Sequence, residues 1–462
     1  MLLKQYYLEC LAHASYLLGD EETGTAAVID PQRDIDQYLA DADAHGLQIR
    51  HVFLTHFHAD FVAGHLELRE RTGAQIYLGV RAEAQYEFTP MGDGSEVRFG
   101  QVLLRSIETP GHTPESVCIL IYDLAESVDK PHAVLTGDTL FIGDVGRPDL
   151  GASVGWKAED LAGMLYESLH DKLLPKVVDE TLVYPAHGAG SMCGRSLSEE
   201  TFSTVGNQRR YNYALQDMSR DAFVGMVTAD QPEAPAYFSY DAEMNARERA
   251  ILDDNLAANY RALSLEEVLA QQADGAQILD VREAEDFAGA HLRGSVNVAL
   301  DGRYASWSGT VLDSDRPIVV IAPPGSEQEA AMRLGRIGFD RVLGYLQDGM
   351  LALQDRADLL GRVARITARD LDEWSGDALW VLDVRTASER EGSHIPGSQN
   401  IPLNRLRGEV DQVPADQPIV VYCAGGYRSS IAASLLMQRG RKVYDLVGGI
   451  ASYEALRQGS GR

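Results

Sequence analysis

The chain has 462 residues, and its 69 Asp and Glu outnumber its 41 Lys and Arg to give a formal net charge of −28. That acidity works against nucleic acid and anionic lipid as partners, no apolar run is long enough to cross a membrane, and Met1-Leu2-Leu3-Lys4-Gln5-Tyr6 lacks the apolar core of a signal peptide. Four cysteines, at 10, 118, 193 and 423, form neither a CxxC pair nor a disulfide framework, so an enzyme of the reducing cytoplasm is expected.

The first informative element is the apolar run Val52-Phe53-Leu54, read as a buried strand, which leads into Thr55-His56-Phe57-His58-Ala59-Asp60-Phe61. Two imidazoles and a carboxylate at a strand end can converge on one ion, and that donor set suits zinc or ferrous iron. Matching groups recur downstream: His112 in Thr109-Pro110-Gly111-His112-Thr113, Asp138 in Leu135-Thr136-Gly137-Asp138-Thr139, and His187 in Tyr184-Pro185-Ala186-His187-Gly188. Each follows a β-type apolar run and lies beside Gly or Pro, which places it at a strand-to-loop corner. Any one of them alone would more often be structural. The series is specific.

The series His-x-His-x-Asp, His, Asp, His resembles the metallo-β-lactamase superfamily. That resemblance implies an αββα sandwich with a metal at the strand ends, Tyr16 to Ile29 and His51 to Thr55 being early strands. Glyoxalase II and other two-metal members carry a histidine after the Asp of the first motif. Here that residue is Phe61, so a second ion is not expected. Asp60 loses its neighbouring ligand, and His187 is left to donate a hydrogen bond. His56, His58, His112 and Asp138 remain for one ion. Spacing alone does not choose between a zinc hydrolase, whose ion makes a nucleophile of water, and an iron oxygenase, in which two histidines and a carboxylate leave positions open for substrate and O2. The first-motif segment, the His112 segment, Thr136-Gly137-Asp138-Thr139-Leu140-Phe141 and Val145-Gly146-Arg147-Pro148-Asp149 are similar to the persulfide dioxygenases. That resemblance implies one Fe(II) per chain on His56, His112 and Asp138. It leaves His58 nearby but uncoordinated, and it gives Arg147 and Tyr184 to the thiol carrier of the substrate.

The second half repeats itself. Ile278 to Leu300 matches Val381 to Leu403 at a gapless offset of 103 residues, with Asp280/Asp383, Arg282/Arg385, Gly289/Gly392, His291/His394, Gly294/Gly397, Asn297/Asn400 and Leu300/Leu403 identical. Each copy then continues into a Pro-Ile-Val-Val strand, from Pro317 and from Pro418. In the second copy that strand runs into Cys423-Ala424-Gly425-Gly426-Tyr427-Arg428, with a helix expected to open at Ser429 or Ser430. Loop N–H groups and a helix N-terminus lower a thiol's pKa and favour the thiolate. Arg428 adds a positive charge.

This repeat resembles the rhodanese family. The resemblance implies that Cys423 carries sulfane sulfur as a persulfide, and the four residues between Cys423 and Arg428 favour sulfur transfer over phosphate chemistry. In the first copy Ala322 stands where Cys423 stands and two prolines remove loop N–H donors, so that copy is read as inactive, structural or docking in role. Its Asp280, Arg282 and His291 are assigned to the fold. The expected architecture is α/β multidomain: a metallo-β-lactamase-like domain over 1–255, an inactive rhodanese-like domain over 256–360 and an active one over 361–462. With no Gly/Ser-rich linker, the domains are expected to pack together. The implied reaction is O2-dependent oxidation of a glutathione or coenzyme A type persulfide to sulfite, coupled to thiosulfate formation or use at Cys423. A zinc thioester hydrolase with a fused sulfurtransferase is the rival. A homo-oligomer is expected, without nucleic acid or membrane partners.

Overall fold

The computed structural model describes residues 1–151, 155–195, 197–229, 231, 233–374 and 378–459. Its strands number β1 to β24. Six form the first sheet, in sequence order: β1 (Leu2–Leu8), β2 (His13–Asp20), β3 (Thr25–Ile29), β4 (Gln48–Phe53), β5 (Gln75–Gly79) and β6 (Thr89–Met91). The second sheet is β7 (Glu96–Phe99), β8 (Val102–Glu108), β9 (Val117–Asp123), β10 (Ala133–Gly137), β11 (Leu182–Pro185) and β12 (Ser203–Thr204).

Both faces of the inner strands are buried, and alternate side chains go to opposite faces. On β9, Ile119 and Ile121 face the first sheet, packing with Tyr16, Leu18, Ile29 and Phe53. The intervening Cys118, Leu120 and Tyr122 pack with Ala162 and Leu165 of the helix Ala158–Glu167 and with Phe223 of the helix Arg220–Thr228. β8 and β10 divide their side chains the same way. The result is the αββα sandwich. Each such side chain contributes roughly 1.5–3 kcal/mol by leaving water.

The ends of β4, β8, β10 and β11 carry the loops that hold His56, His112, Asp138 and His187. The corner after β10 turns at Gly137, with φ of +52°, where a Cβ would lie 2.6 Å from the Thr55 hydroxyl. The His-x-His-x-Asp loop runs into the helix His65–Thr72, which is pinned through Glu67. This buried carboxylate accepts from Arg33 Nε at 2.9 Å and from Arg249 Nη1 and Nη2 at 2.6 and 3.0 Å.

The chain divides into two units, Met1–Asp254 with Gly335–Gly338, and Asn255–Leu334 with Phe339–Arg462. The second unit contains both repeats, and their sheets have one topology. β13 (Arg261–Leu263), β14 (Gln277–Asp280), β16 (Val296–Asn297), β17 (Ile318–Ile321) and β18 (Val342–Leu346) run in the order β13-β18-β17-β14-β16. β20 (Ala364–Ile366), β21 (Trp380–Asp383), β22 (Gln399–Asn400), β23 (Ile419–Tyr422) and β24 (Val443–Leu446) run as β20-β24-β23-β21-β22. A small separate sheet pairs β15 (His291–Leu292) with β19 (Leu360–Gly361).

The repeated identities are structural. Arg282 and Arg385 each clamp the aspartate two residues before them. Asn297 and Asn400 each donate to the carbonyls of that Asp and that Arg, at 2.8–3.0 Å. His291 and His394 each bond a carbonyl four residues back through Nδ1. The two repeats touch directly: Ser430 Oγ donates to Asn297 Oδ1 at 2.6 Å, and Tyr427 Oη to the Ala299 carbonyl at 2.9 Å.

Glu67 generates a stability prediction. Burial pushes its carboxyl up, but Arg249 and Arg33 outweigh burial and hold it at about 2, against 4.5 for the free side chain. A depressed carboxyl contributes stability above its unfolded value that is lost as pH falls towards its folded value. E67Q is expected to lower the unfolding free energy at neutral pH by about 3 kcal/mol. It should also flatten the acid-induced loss between pH 4.5 and 2. Urea unfolding across pH measures both.

Candidate metal centre and cysteine loop

His56 leaves the end of β4, His112 follows β8 and Asp138 follows β10, and all three are buried. Their donor atoms converge: Asp138 Oδ2 is 3.7 Å from His56 Nε2 and 3.4 Å from His112 Nε2. The far ring nitrogens fix the tautomers. His112 Nδ1 donates to the Arg147 carbonyl at 2.9 Å. His56 Nδ1 donates to Thr55 Oγ1 at 3.0 Å, while that hydroxyl gives its own proton to Asp30 Oδ2 at 2.9 Å. Both Nε2 lone pairs are thereby left for the shared point. Burial lowers the pKa of His56 and of His112, so both rings are neutral, as a metal ligand requires. Burial alone would raise the Asp138 carboxyl, but His187, His56 and His112 draw it well below the usual range. Two neutral imidazoles and one carboxylate fit a divalent ion. The buried His56 Nε2 has no hydrogen-bond partner otherwise.

Beside this set, His58, Asp60 and His187 also bring donor atoms within 4.8 Å of one another. His187 is gripped by two carboxylates, with Nδ1 at 2.8 Å from Asp138 Oδ1 and Nε2 at 3.0 Å from Asp60 Oδ2. Burial disfavours its charged form, yet Asp138 and Asp60 more than offset this and raise its pKa well above the ordinary value. Through Nδ1 it holds Asp138 in place. His58 Nε2 faces Asp30 Oδ1 at 3.0 Å. Phe61 fills the space where a further ligand would stand, its ring 4.4 Å from that of His58 and 4.0 Å from that of His13.

Three residues of this site carried no signal in the sequence. His13 opens β2 and bridges His187 through the backbone. Cys193, six residues after His187 in the chain, is buried with Asp138 and His187. Asn245, on the helix Phe238–Ala246, donates at 2.8 Å to the carbonyls of His58 and of Phe61 and accepts from Ala63 N at 2.8 Å. Asn245 is nearly 200 residues from the motif it clamps, so no local pattern marks it.

Arg147 reaches the site through its carbonyl. Its side chain is 1 % exposed and turned inward, forked onto Asp149 at 2.7 Å twice and onto the Met192 carbonyl at 3.1 Å. Tyr184, on β11, is half-buried, stacked on Phe202 and edge-on to Tyr16.

Cys423 directly follows β23, with its Sγ 3.1 Å from Gly426 N, which donates to it. The helix opens at Tyr427, two or three residues earlier than the Ser429 or Ser430 expected from the sequence, because Gly426 turns the chain at φ of 126° straight into helical geometry. Arg428 falls in the first helical turn and pairs bidentately with Glu389, at 2.7 Å twice. Arg428 thus sits by the loop as a neutralised fork. Gly449 packs on the loop so closely that a Cβ would lie 2.4 Å from the Cys423 carbonyl. In the sister repeat the corresponding loop starts at Ala322 and bears no thiol.

Comparison with known proteins matches three segments of the chain. Residues 8–187 match the Metallo-beta-lactamase superfamily, and residues 264–356 and 367–456 each match the Rhodanese-like domain. The persulfide dioxygenase ETHE1 of Homo sapiens is 30 % identical over 253 residues, covering 54 % of this chain and 88 % of that one. A hydroxyacylglutathione hydrolase of Rhodospirillum rubrum is 31 % identical over 241 residues, 51 % of this chain and 82 % of that one. Among solved structures, a metallo-beta-lactamase from Staphylococcus aureus subsp. aureus COL is 30 % identical with a TM-score of 0.67, covering 74 % of this chain and 98 % of that chain.

The Asn245 clamp is testable. N245A should leave the ligands unchanged but loosen their loop, lowering metal affinity roughly 10- to 100-fold. Competitive chelator titration reads this. Unchanged affinity would assign Asn245 to the fold alone.

Proposed function

We propose, for a chain that belongs to the metallo-beta-lactamase superfamily and continues into two rhodanese-like domains, an Fe(II) persulfide dioxygenase centre joined to a cysteine sulfurtransferase. The observation that carries this reading is the ligand set: two histidines and one carboxylate that converge, with the adjacent His187 taken up between Asp138 and Asp60 and Phe61 where a further donor would be. Such a set would leave positions open on an Fe(II) ion. The domain architecture supports sulfur chemistry at both ends of the chain.

Ferrous iron on His56, His112 and Asp138 would supply the redox chemistry and the open positions for a sulfur anion and O2. The remaining work falls to the protein. Thr55 and the Arg147 carbonyl hold the two imidazoles in the required tautomer. His187 keeps Asp138 ionised and oriented. Phe61 and His13 keep water from its flank. The Arg147 loop and the Tyr184 ring are assigned to the wall against which the thiol carrier lies. Persulfide, O2 and water give the thiol and sulfite. At the second centre, the Cys423 thiolate attacks the sulfane sulfur of thiosulfate or of a persulfide, becomes Cys–S–S⁻, and releases sulfite or thiol. The acceptor then regenerates the thiolate. Run towards sulfite as acceptor, this step makes thiosulfate from the first centre's product.

The centres should separate by mutation. With glutathione persulfide or coenzyme A persulfide, H112A is expected to lose O2 uptake, sulfite release and bound iron together. C423S should keep all three and lose sulfur transfer from thiosulfate. The hydroxyacylglutathione hydrolase relatives give the rival its weight. Zinc in the protein, with thioester cleavage under argon and no O2 uptake, would replace the dioxygenase by the hydrolase.

A further inference from the structure

Cys423 is 1 % exposed, so its thiol proton needs a route out before the sulfur can attack. The thiol points at Ser429 Oγ, 3.7 Å away, and the Ser429 hydroxyl presently donates to the Gly426 carbonyl at 3.0 Å. Across the sheet, Asp445 on β24 stands opposite Val421 on β23, two residues before Cys423. Cys423 follows β23 directly, two residues beyond Val421, so the extended period carries it to the side of the sheet that Val421 and Asp445 share, under the helix that carries Ser429. Asp445 is 3 % exposed, its Oδ1 makes no hydrogen bond, and Ser429 and Arg365 both act on its carboxyl.

The sister repeat serves as an internal control. Gly349 packs on the Ala322 carbonyl as Gly449 packs on that of Cys423, which fixes the correspondence of the two loops. Opposite Val320, the counterpart of Val421, stands Tyr345 instead of an aspartate. At the third position of the helix that follows, where the active copy has Ser429, stands Glu329. Thiol, hydroxyl and carboxylate are therefore present together in one copy and absent together from the other. The Asp–Arg clamp and the asparagine cap are kept in both. The trio varies as a functional unit does, and the kept residues as structural ones do.

We propose that Ser429 and Asp445 form the proton outlet of Cys423. The thiol gives its proton to the Ser429 oxygen while that hydroxyl, turned from the Gly426 carbonyl, gives its own to Asp445 Oδ1. The products are a thiolate, an unchanged serine and a neutral carboxylic acid, so charge and protons balance. Burial pushes the Asp445 carboxyl above its usual range, against the pull of Ser429 and Arg365, which suits a carboxylate that accepts a proton. Ser429 touches the reacting sulfur; Asp445 acts through it and is a positioning residue. Other charges face the pair from neighbouring elements. Arg365 Nε lies 3.4 Å from Asp445 Oδ2 and is itself held by Glu285. Arg428, paired with Glu389, and Arg385, paired with Asp383, lie on the Cys423 side. The purpose of the outlet rests on the sulfurtransferase reading; its existence does not.

The test is the pH profile of Cys423 alkylation by iodoacetamide in the full chain, read by mass on the Cys423 peptide. No sulfur substrate is needed. In the wild-type chain the rate is expected to hold a plateau through neutral pH, because the proton moves within the pair. In D445N the rate at pH 7 should fall about tenfold and recover only at alkaline pH, the equivalent of roughly one pK unit. S429A should behave alike, S429T should restore the profile, and S429A combined with D445N should add nothing. A D445N rate at pH 7 equal to or above that of the wild-type chain would overturn the proposal, since a carboxylate that merely repels the thiolate has that effect. Should D445N fail to fold, S429A against S429T decides: a fall that Thr restores supports the outlet, and no fall, or a fall that Thr does not restore, overturns it. A wild-type chain that alkylates as described yet transfers no sulfur would sink the sulfurtransferase reading alone.

Discussion

Buried charge governs the first unit. Asp30, Asp60 and Asp138 are removed from water within one small volume, and an uncompensated carboxylate there would cost several kcal/mol. The protein offsets this with donors and cations of its own. Asp30 accepts from Thr55 N and Oγ1. Asp60 and Asp138 share His187 between them. Asp60 Oδ1 is left without a hydrogen bond, and Asp138 Oδ2, which accepts from His187 Nδ1 at 3.0 Å, also faces the Nε2 atoms of His56 and His112. That carboxylate beside two ring nitrogens is the candidate site for a cation. The same balance explains why Phe61 is tolerable. Once His187 carries a proton, Asp60 has a partner without a second ion.

Much of this was legible from the sequence because it is local. Strand-end motifs place His56, His112, Asp138 and His187 at corners wherever the strands fall, and the apolar runs that make those strands are unambiguous. The repeat was legible for the same reason, its identities lying at fixed offset. What was not legible depends on long-range closure. Asn245 reaches the metal loop from a polar helix late in the unit, and His13 from a strand near the N-terminus. Charged residues were the other weak point. Arg147 and Arg428 stand in the loops the sequence marks, but each is forked onto a carboxylate, Asp149 or Glu389. A motif shows that an arginine is near; only the fold shows what its guanidinium already holds.

The duplicated half separates what a rhodanese-like sheet needs from what its chemistry needs. Asp280 and Asp383 with their arginines, and Asn297 and Asn400 with their carbonyls, brace the same turn in both copies. The loop beyond the third central strand is free to change, because its backbone is held from below by Gly349 or Gly449. One copy has a thiol with its hydroxyl neighbour. The other has no thiol, yet packs Asn297 and the Ala299 carbonyl against the helix that follows Cys423. The copy without the thiol is thereby a wall of the copy that bears it.

Metal counting on anaerobically reconstituted protein, with the oxygen electrode run on the same sample, probes whether His56, His112 and Asp138 hold a single ferrous ion. One iron per chain, with O2 uptake that begins on addition of a thiol persulfide, is expected. Two ions per chain, or one zinc with no O2 consumed, would rule that centre out.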